Sequence, residues 1–172
     1  MILTTTPRLL IRQLEETDHD ALIPILSDKD VMQYSTLGPI SSEQITLWLD
    51  ERIALYDRLG FSVWAVILKE EDKLIGFCGI KPIDLDGLRE IEIMFRFAKA
   101  YWNKGYAFEA AQACKQYAFD TLAINSLIAI VDPNNERSLN LIDKLNMTYE
   151  KDSVYKNFPI RVYRLNKFNP PK

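Results

Sequence analysis

The pattern of apolar and polar positions changes its period once, sharply, between Arg89 and Ala118. From Arg89 to Phe97 apolar and mostly polar side chains alternate, as they do on the two faces of a strand. One face carries Ile91, Ile93, Phe95 and Phe97, and the other carries Glu90, Glu92, Met94 and Arg96. From Ala107 onward, small residues recur at helical spacing, which lets a helix pack closely on a sheet. The stretch therefore predicts a strand, a tight turn at Gly105 and a helix.

The same patterns predict the other elements. We expect further strands over residues 9–14, 61–68, 73–80, 126–131, 147–155 and 160–168, and helices over 17–26 and 139–145. Another helix is expected to start at a capping box of Ser41 and Gln44 and to stop at Gly60. Pro82 and residues 84–87 predict a turn, and the tail 169–172 is expected to be frayed. Three successive strands followed by a helix favour a mixed α/β (α+β) fold over a doubly wound one. Without repeats or linkers, residues 1–172 are expected to form a single domain.

Composition excludes several classes of protein. A net charge of -3 without a local lysine and arginine cluster argues against a nucleic-acid partner. No apolar run approaches the length of a membrane span and no signal pattern opens the chain, so we expect a cytoplasmic protein without a membrane partner. Cys78 and Cys114 lack metal spacing and are expected to be buried free thiols. With His19 as the single histidine, no metal site is implied.

The loop before the alanine-rich helix suggests an anion site. A tight turn into a helix leaves backbone N–H groups without partners, and these groups bind phosphate well. Gly105 and Ala107 allow close approach of a ligand, and Lys104 adds a cation. The loop lacks both the Gly-Lys-Ser/Thr end of a nucleotide P-loop and the three glycines of a dinucleotide site. An ordinary strand-to-helix turn stays open as the alternative.

The string Tyr101-Trp102-x-Lys104-Gly105-Tyr106-Ala107-x-Glu109-Ala110 resembles the GNAT family of N-acetyltransferases, and within it the ribosomal-protein-alanine acetyltransferase type. Similar strings cover most of the chain, namely 8–12, 74–79, Asn135 with Ser138, and 144–147. Two positions depart from the family pattern. Trp102 replaces the usual Arg or Gln, and Asn146 replaces the usual Gly at a helix end, a place where Asn is also tolerated.

The resemblance implies a single GNAT-type domain, in which about four helices flank a central, splayed and mostly antiparallel sheet. It also implies acetyl-coenzyme A as the acetyl donor. Its pyrophosphate would lie on the amides of residues 103–107, and its pantetheine arm would pair with the strand near Phe95 as an added strand does. Asn135 would orient the loop beside that arm. The cofactor-binding residues that the resemblance implies are Phe95, Arg96, Phe97, Trp102, Asn103, Lys104, Gly105, Tyr106, Ala107 and Asn135.

The resemblance also implies catalytic roles. Glu92 matches the strand glutamate that acts as base, directly or through water, and Glu90 is its backup unless both belong to a solvated acidic edge. Where part of the family has a tyrosine acid, this chain has Ile142. Ser138 is the best remaining proton donor and Tyr155 a distant one, although Ser138 could equally be a helix-start residue that bonds only locally.

Three functions stay open from the sequence. The first is acetylation of an amine, most readily a protein N-terminal amine, and the second is acetylation of a small amine such as a polyamine or aminoglycoside. The third is a non-catalytic module that binds coenzyme A or a partner protein. The segment 27–41 and the region of Phe158 would shape the acceptor site. Either a monomer or a homodimer is compatible with the chain.

Overall fold

A computed structural model describes residues 1–168. The strands are β1 (Ile2–Thr5), β2 (Leu9–Gln13), β3 (Val63–Leu68), β4 (Lys73–Leu85), β5 (Leu88–Phe97), β6 (Ser126–Val131), β7 (Thr148–Tyr155) and β8 (Phe158–Asn166). The helices are α1 (His19–Leu26), α2 (Ser42–Leu59), α3 (Tyr106–Asp120) and α4 (Glu136–Lys144). Short 3-10 turns occupy Glu16–Asp18 and Lys99–Tyr101.

The described strands form one sheet in the order β1-β2-β3-β4-β5-β6-β8-β7. Neighbouring strands are antiparallel except β5 and β6, which pair in parallel at Glu92 and Ile128. Past that point β5 continues to Phe97 on β4, and β6 continues to Val131 on β8. The two strands therefore diverge and open a wedge in the sheet. The expected mixed fold with a splayed, mostly antiparallel sheet is confirmed.

Two hydrophobic cores cover the two faces of the sheet. On one face the small residues of α3 are fully buried against β5 side chains such as Ile93 and Phe97. On the other face α1 and α2 pack on Phe77 of β4 and on alternate residues of β3. Cys78 and Cys114 are free thiols inside the first core, as expected, and burial raises the pKa of the Cys114 thiol. Both sulfurs are thus inert packing groups.

The signals at the helix ends are confirmed. Ser41 and Gln44 form a reciprocal capping box at the start of α2, which ends at Gly60 with φ +79°. Asn146 follows α4 with φ +60°. This is the left-handed conformation in which asparagine can replace glycine at a helix end. These local interactions fix where the helices begin and end.

Two expectations about strands were wrong. β1 was missed because its four residues are half-exposed or exposed and do not alternate. β4 was expected to end at Ile80, but it runs to Leu85, and Pro82 pairs with Ile91 of β5. The pairing of β3 with β4 reaches only Gly79, so Pro82 lies on a free edge where its missing N–H removes no sheet hydrogen bond. The predicted tail 169–172 lies outside the described residues.

Candidate active site

A cavity of about 400 Å³ lies where β5 and β6 diverge. Its walls come from β5, β6, the loop before α3, the first turn of α3, the length of α4, and the segment between α1 and α2. Eleven of the twelve residues predicted for the site line it: Glu92, Phe95, Arg96, Phe97, Trp102, Asn103, Gly105, Tyr106, Ala107, Asn135 and Ser138. Lys104 is in the loop but does not line the cavity.

The loop before α3 has the geometry of an anion cradle. Asn103 and Gly105 adopt left-handed conformations, with φ +60° and +81°, and α3 starts at Tyr106 without a side-chain cap. The first amides of α3 are therefore left free for a ligand. A Cβ added at Gly105 would lie 3.3 Å from Nη2 of Arg8 in addition to straining the backbone. This arrangement fits a phosphate or pyrophosphate group.

A buttress behind this loop holds it in place. Oε1 of Glu109 accepts hydrogen bonds from the Thr6 hydroxyl and the Arg8 amide, at 2.5 and 3.0 Å. Oε2 of Glu109 accepts from Nε of Arg8 at 2.6 Å, and Nη1 of Arg8 donates to the Lys104 carbonyl at 2.9 Å. The same guanidinium lies 4.5 Å from the centre of the Tyr106 ring. Arg8 and Glu109 both belong to the family-like strings, but the contact between them was not predicted.

Trp102 is fixed from two sides. Its Nε1 donates to the Phe97 carbonyl at 2.8 Å, and the guanidinium of Arg137 lies 4.1 Å above its ring. Arg137, which sequence reasoning missed, comes from the first turn of α4 and lines the cavity. At the position where the family usually has a polar or cationic side chain, this chain has an aromatic ring with a cation stacked on it. Its position in the sequence between Asn135 and Ser138, two predicted site residues, could have indicated that Arg137 lines the cavity.

Glu92 lies at the point where β5 and β6 part. It is 7% exposed and pairs across the sheet with Lys81 of β4, whose Nζ is 2.8 Å from Oε2. The ammonium compensates the buried charge, but the pair is not aligned as a hydrogen bond. Within residues 1–168, Oε2 therefore has no hydrogen-bond donor. A buried carboxylate with unused acceptor capacity in a cavity is suited to receive a proton or an amine. Lys81 was missed by sequence reasoning.

Glu90, the backup base, is occupied elsewhere. Its two oxygens accept from Nη2 and Nη1 of Arg164 at 2.7 and 3.1 Å, and Arg164 also pairs with Glu150. These hydrogen bonds raise the pKa of Arg164. Glu90 does not line the cavity. It belongs to a half-buried ion-pair network rather than to a solvated edge, so the two glutamates on this face of β5 have different environments.

Ser138 is in the first turn of α4. Its backbone N–H donates to Oδ1 of Asn135 at 3.2 Å, so the Asn135 side chain caps the helix. The Ser138 hydroxyl makes no hydrogen bond with any residue of the described chain and faces the cavity. Ile142 lines the same cavity, whereas Tyr155 packs in a separate cluster with Ile83. Ser138 is therefore the better placed of the two predicted donors.

The segment between α1 and α2 reaches the cavity with Asp30, Val31, Gln33 and Tyr34. An ion pair between Asp30 and Lys99 joins this segment to the turn after β5, and its hydrogen bond lowers the pKa of Asp30. Phe158 begins β8, is 45% exposed and does not line the cavity. Of the two regions expected to shape the acceptor site, only the first is brought to it.

No helix within 1–168 is long and apolar enough to cross a bilayer. In the same range, no cluster of three or more His, Cys, Asp or Glu side chains could hold a metal ion.

The wedge, the amide cradle and the buried strand glutamate together have the layout of an acetyltransferase. Residues 8–148 match the family model of the acetyltransferase (GNAT) domain, and the chain belongs to this family. It is therefore an acetyl-transferring enzyme of the GNAT type. The family uses acetyl-coenzyme A, and the cradle before α3 fits its pyrophosphate.

Relatives of similar length support the assignment. The chain is 33% identical to Uncharacterized protein YkkB of Bacillus subtilis over 95% of both chains. It is 36% identical to Uncharacterized N-acetyltransferase YnaD of the same organism, over 85% of this chain and 82% of that one. A GNAT-family acetyltransferase from Bacillus anthracis superposes with a TM-score of 0.81 at 30% identity, covering 96% and 98% of the two chains. The RimL ribosomal L7/L12 alpha-N-protein acetyltransferase, in complex with coenzyme A, shares the fold with a TM-score of 0.80 at 18% identity, over 96% and 98%.

Proposed function

We propose that this enzyme transfers the acetyl group of acetyl-coenzyme A to the α-amino group at a protein N-terminus, and that residues 1–172 act as one domain. The observation that carries the proposal is the position of Glu92. It is a buried carboxylate at the apex of the wedge, in one cavity with the amide cradle and the first turn of α4. The cytoplasm is the expected compartment.

The donor side would use main-chain groups. The pyrophosphate would lie on the amides at the start of α3, with Asn103 and Gly105 supplying the turn. The pantetheine arm would add as a strand to the edge of β5 near Phe95 and Phe97, which is the edge exposed by the divergence from β6. Neither role requires a particular side chain, which is consistent with Trp102 at a position where the family has Arg or Gln.

The acceptor amine must lose a proton before it can attack the thioester carbonyl carbon. The α-ammonium of a peptide has a pKa near 8 and a free carboxylate one near 4, so direct transfer to Glu92 is uphill and a water relay is the easier path. Attack expels the coenzyme A thiolate, which the Ser138 hydroxyl would stabilise by a hydrogen bond. Because that thiolate is a tolerable leaving group, we expect Ser138→Ala to reduce turnover less than any change at Glu92.

Two observations favour a protein N-terminus over a small amine. Among proteins of the same fold, RimL is described as an alpha-N-protein acetyltransferase. The cavity lining balances its acidic side chains with an equal number of basic ones instead of offering the acidic lining that a polyamine would need. The acids are Asp30, Glu92 and Asp132, and the bases are Arg96, Arg137 and Lys144. A non-catalytic module is disfavoured because such a protein would have no use for a buried carboxylate next to a complete phosphate cradle.

A substrate panel tests the proposal. Coenzyme A release would be followed with acetyl-coenzyme A and three classes of acceptor: short peptides with free N-termini, spermidine and an aminoglycoside. We expect turnover with peptides, and none with the same peptides after N-terminal blocking. Turnover restricted to the small amines would contradict the protein-substrate proposal. Thermal stabilisation by coenzyme A without any turnover would instead indicate the non-catalytic module.

A further inference from the structure

Arg96 differs from several other arginines of the fold in having no carboxylate within ion-pair distance in residues 1–168. Arg12, Arg8 and Arg164 each contact a carboxylate at 2.7 Å or less. The side chain of Arg96 has a single hydrogen-bond contact in the described chain, from Nη1 to Sδ of Met32 at 2.6 Å. A thioether is a weak acceptor, and a guanidinium has five donors. Most of the hydrogen-bonding capacity of this partly buried cation is therefore unused by the protein.

The guanidinium nonetheless stays charged at neutral pH. Burial lowers the pKa of Arg96 to about 10, while the negative charge of nearby Glu92 acts in the opposite direction. The guanidinium nitrogens that lack a protein partner are not among the buried polar atoms of residues 1–168, so they remain accessible from the cavity. A ligand carboxylate there could form the ion pair that the protein does not supply. Arg96 lines the same cavity as Glu92, so a ligand could reach it there.

The location of Arg96 separates it from the phosphates of the donor. Phe95 and Phe97 point to the face of the sheet that packs on α3. Met94 lies two positions before Arg96, and Met32 contacts its guanidinium. Both methionines belong to the opposite core with α1 and α2. The amide cradle starts α3 and therefore lies with the first face. The Arg96 side chain therefore lies on the side of the cavity formed by the segment between α1 and α2, although the family resemblance counts residue 96 among the cofactor-binding positions. Only its main chain lies on the β5 edge proposed for the pantetheine arm.

We infer that Arg96 binds a carboxylate carried by the acceptor near its reacting amine. The inference rests on the proposed function, because it needs an acceptor amine at Glu92. The two residues lie four positions apart on one strand, about 13 Å between Cα atoms at the usual rise, and the long arginine side chain can shorten the separation of the charged groups. The planar fork of a guanidinium matches a carboxylate with two parallel hydrogen bonds. The acceptor would thus present a cation to Glu92 and an anion to Arg96.

Such a carboxylate has two sources, an acidic side chain close to a peptide N-terminus or the carboxylate of a free amino acid. Matched pairs of acceptors distinguish them: a Ser-Asp peptide against a Ser-Asn peptide of otherwise identical sequence, and serine against serinamide. Each pair changes one anionic group to a neutral group of nearly the same shape. Wild type, Arg96→Met and Arg96→Lys would be compared by kcat/KM for the acceptor and KM for acetyl-coenzyme A.

We expect wild type to prefer the acidic member of one pair by about tenfold to a hundredfold, the range of a charge-assisted hydrogen bond. Arg96→Met should abolish that preference by slowing only the acidic substrate, and Arg96→Lys should keep part of it. KM for acetyl-coenzyme A should stay unchanged. The melting temperature of Arg96→Met should not fall, because the change removes a partly buried charge that has no carboxylate partner and keeps an apolar side chain beside Met32. The pair that shows the preference identifies the source of the carboxylate.

The inference is overturned if wild type acetylates both members of each pair equally well. It is also overturned if Arg96→Met slows both members alike and melts lower, since Arg96 would then only support the segment around Met32. Should no acceptor turn over, the proposed function fails. Calorimetric binding of the same peptide and amino-acid pairs, in the presence of coenzyme A, then still decides about Arg96: equal affinities would refute its role.

Discussion

The cavity has two halves that offer different groups to a ligand. The donor half is the loop before α3, proposed to bind coenzyme A, and the acceptor half is the region of Glu92 and Arg96, proposed to bind the amine substrate. The donor half presents main-chain groups from one short loop, residues 103–107, and its conformation is set by two left-handed residues and by the Arg8–Glu109 buttress. The acceptor half presents two charged side chains of β5, Glu92 and Arg96, whose contacts come from separate elements. Glu92 on β5 faces Lys81 on β4, and Arg96 reaches Met32 beyond α1.

The difference explains which part of the site tolerates sequence change. Backbone amides are held by turn geometry, so the cradle accepts Trp102 in place of a polar residue without losing its donors. A site made of side chains is lost with a single substitution, because each charged group belongs to one residue. Chains with the same donor half could therefore act on different amines, and we expect the acceptor specificity of this enzyme to be set around Glu92 and Arg96.

The largest expected effect separates the two glutamates of β5. Glu92→Gln should lower kcat by on the order of a hundredfold, because the amide cannot accept the proton of the amine, while affinity for acetyl-coenzyme A is spared. Glu90→Gln is the matched control, since Glu90 lies on the same face of β5 but is bound to Arg164 outside the cavity. Its turnover should stay near that of wild type. Steady-state thiol release and a coenzyme A titration measure both quantities. Full activity of Glu92→Gln at every pH would remove Glu92 from the mechanism.

The fold and the donor half could be predicted because their signals are local. Alternation gave most strands, and the turn at Gly105, the cap at Ser41 and the helix end at Asn146 each depend on a few adjacent residues. β1 escaped because an edge strand without a buried face has no alternation. The length of β4 was not predicted because Pro82 is compatible with a strand only where β3 has already ended and no hydrogen bond from its nitrogen is needed. The sequence of β4 does not show where β3 ends.

Glu92 was predicted, but the contacts around it and Arg96 could not be, because they join residues distant in sequence. Arg96 and Met32 are 64 positions apart. The Arg8–Glu109 contact behind the donor loop, which spans 101 positions, was not predicted for the same reason. A sequence pattern shows that Arg96 is on the Glu92 face of a strand, but not that it lacks a carboxylate partner. That absence depends on every element packed around it. Lys81 was hidden in the same way, because the register of β4 with β5 was unknown.

A smaller effect tests whether the donor half works through its backbone. Gly105→Ala places a side chain in a left-handed conformation, which is unfavourable by about 1–2 kcal/mol, and should relax the turn that orients the cradle. We expect the dissociation constant for coenzyme A to rise by about tenfold if that strain is released by moving the loop. Gly60→Ala is the control, because Gly60 has a similar φ of +79° at the end of α2 and an added Cβ would meet no atom within 4 Å. It should lower thermal stability comparably and leave coenzyme A affinity unchanged. Equal coenzyme A affinities of the two variants would contradict a backbone cradle.

The smallest expected effect concerns Arg137, the one side chain of α4 that would assist the donor half. Its guanidinium lies 4.1 Å above the Trp102 ring at the rim of the cavity, so it would add positive charge near the cradle. Arg137→Ala should weaken coenzyme A binding about threefold at low salt, with less loss at high salt, because an exposed cation is screened. Arg52→Ala is the control, since Arg52 lies 5.5 Å from the centre of the Trp48 ring, outside this cavity. Titration of coenzyme A at two salt concentrations gives the comparison. If Arg137→Ala matched Arg52→Ala at both, the donor half would depend on main-chain groups without help from α4.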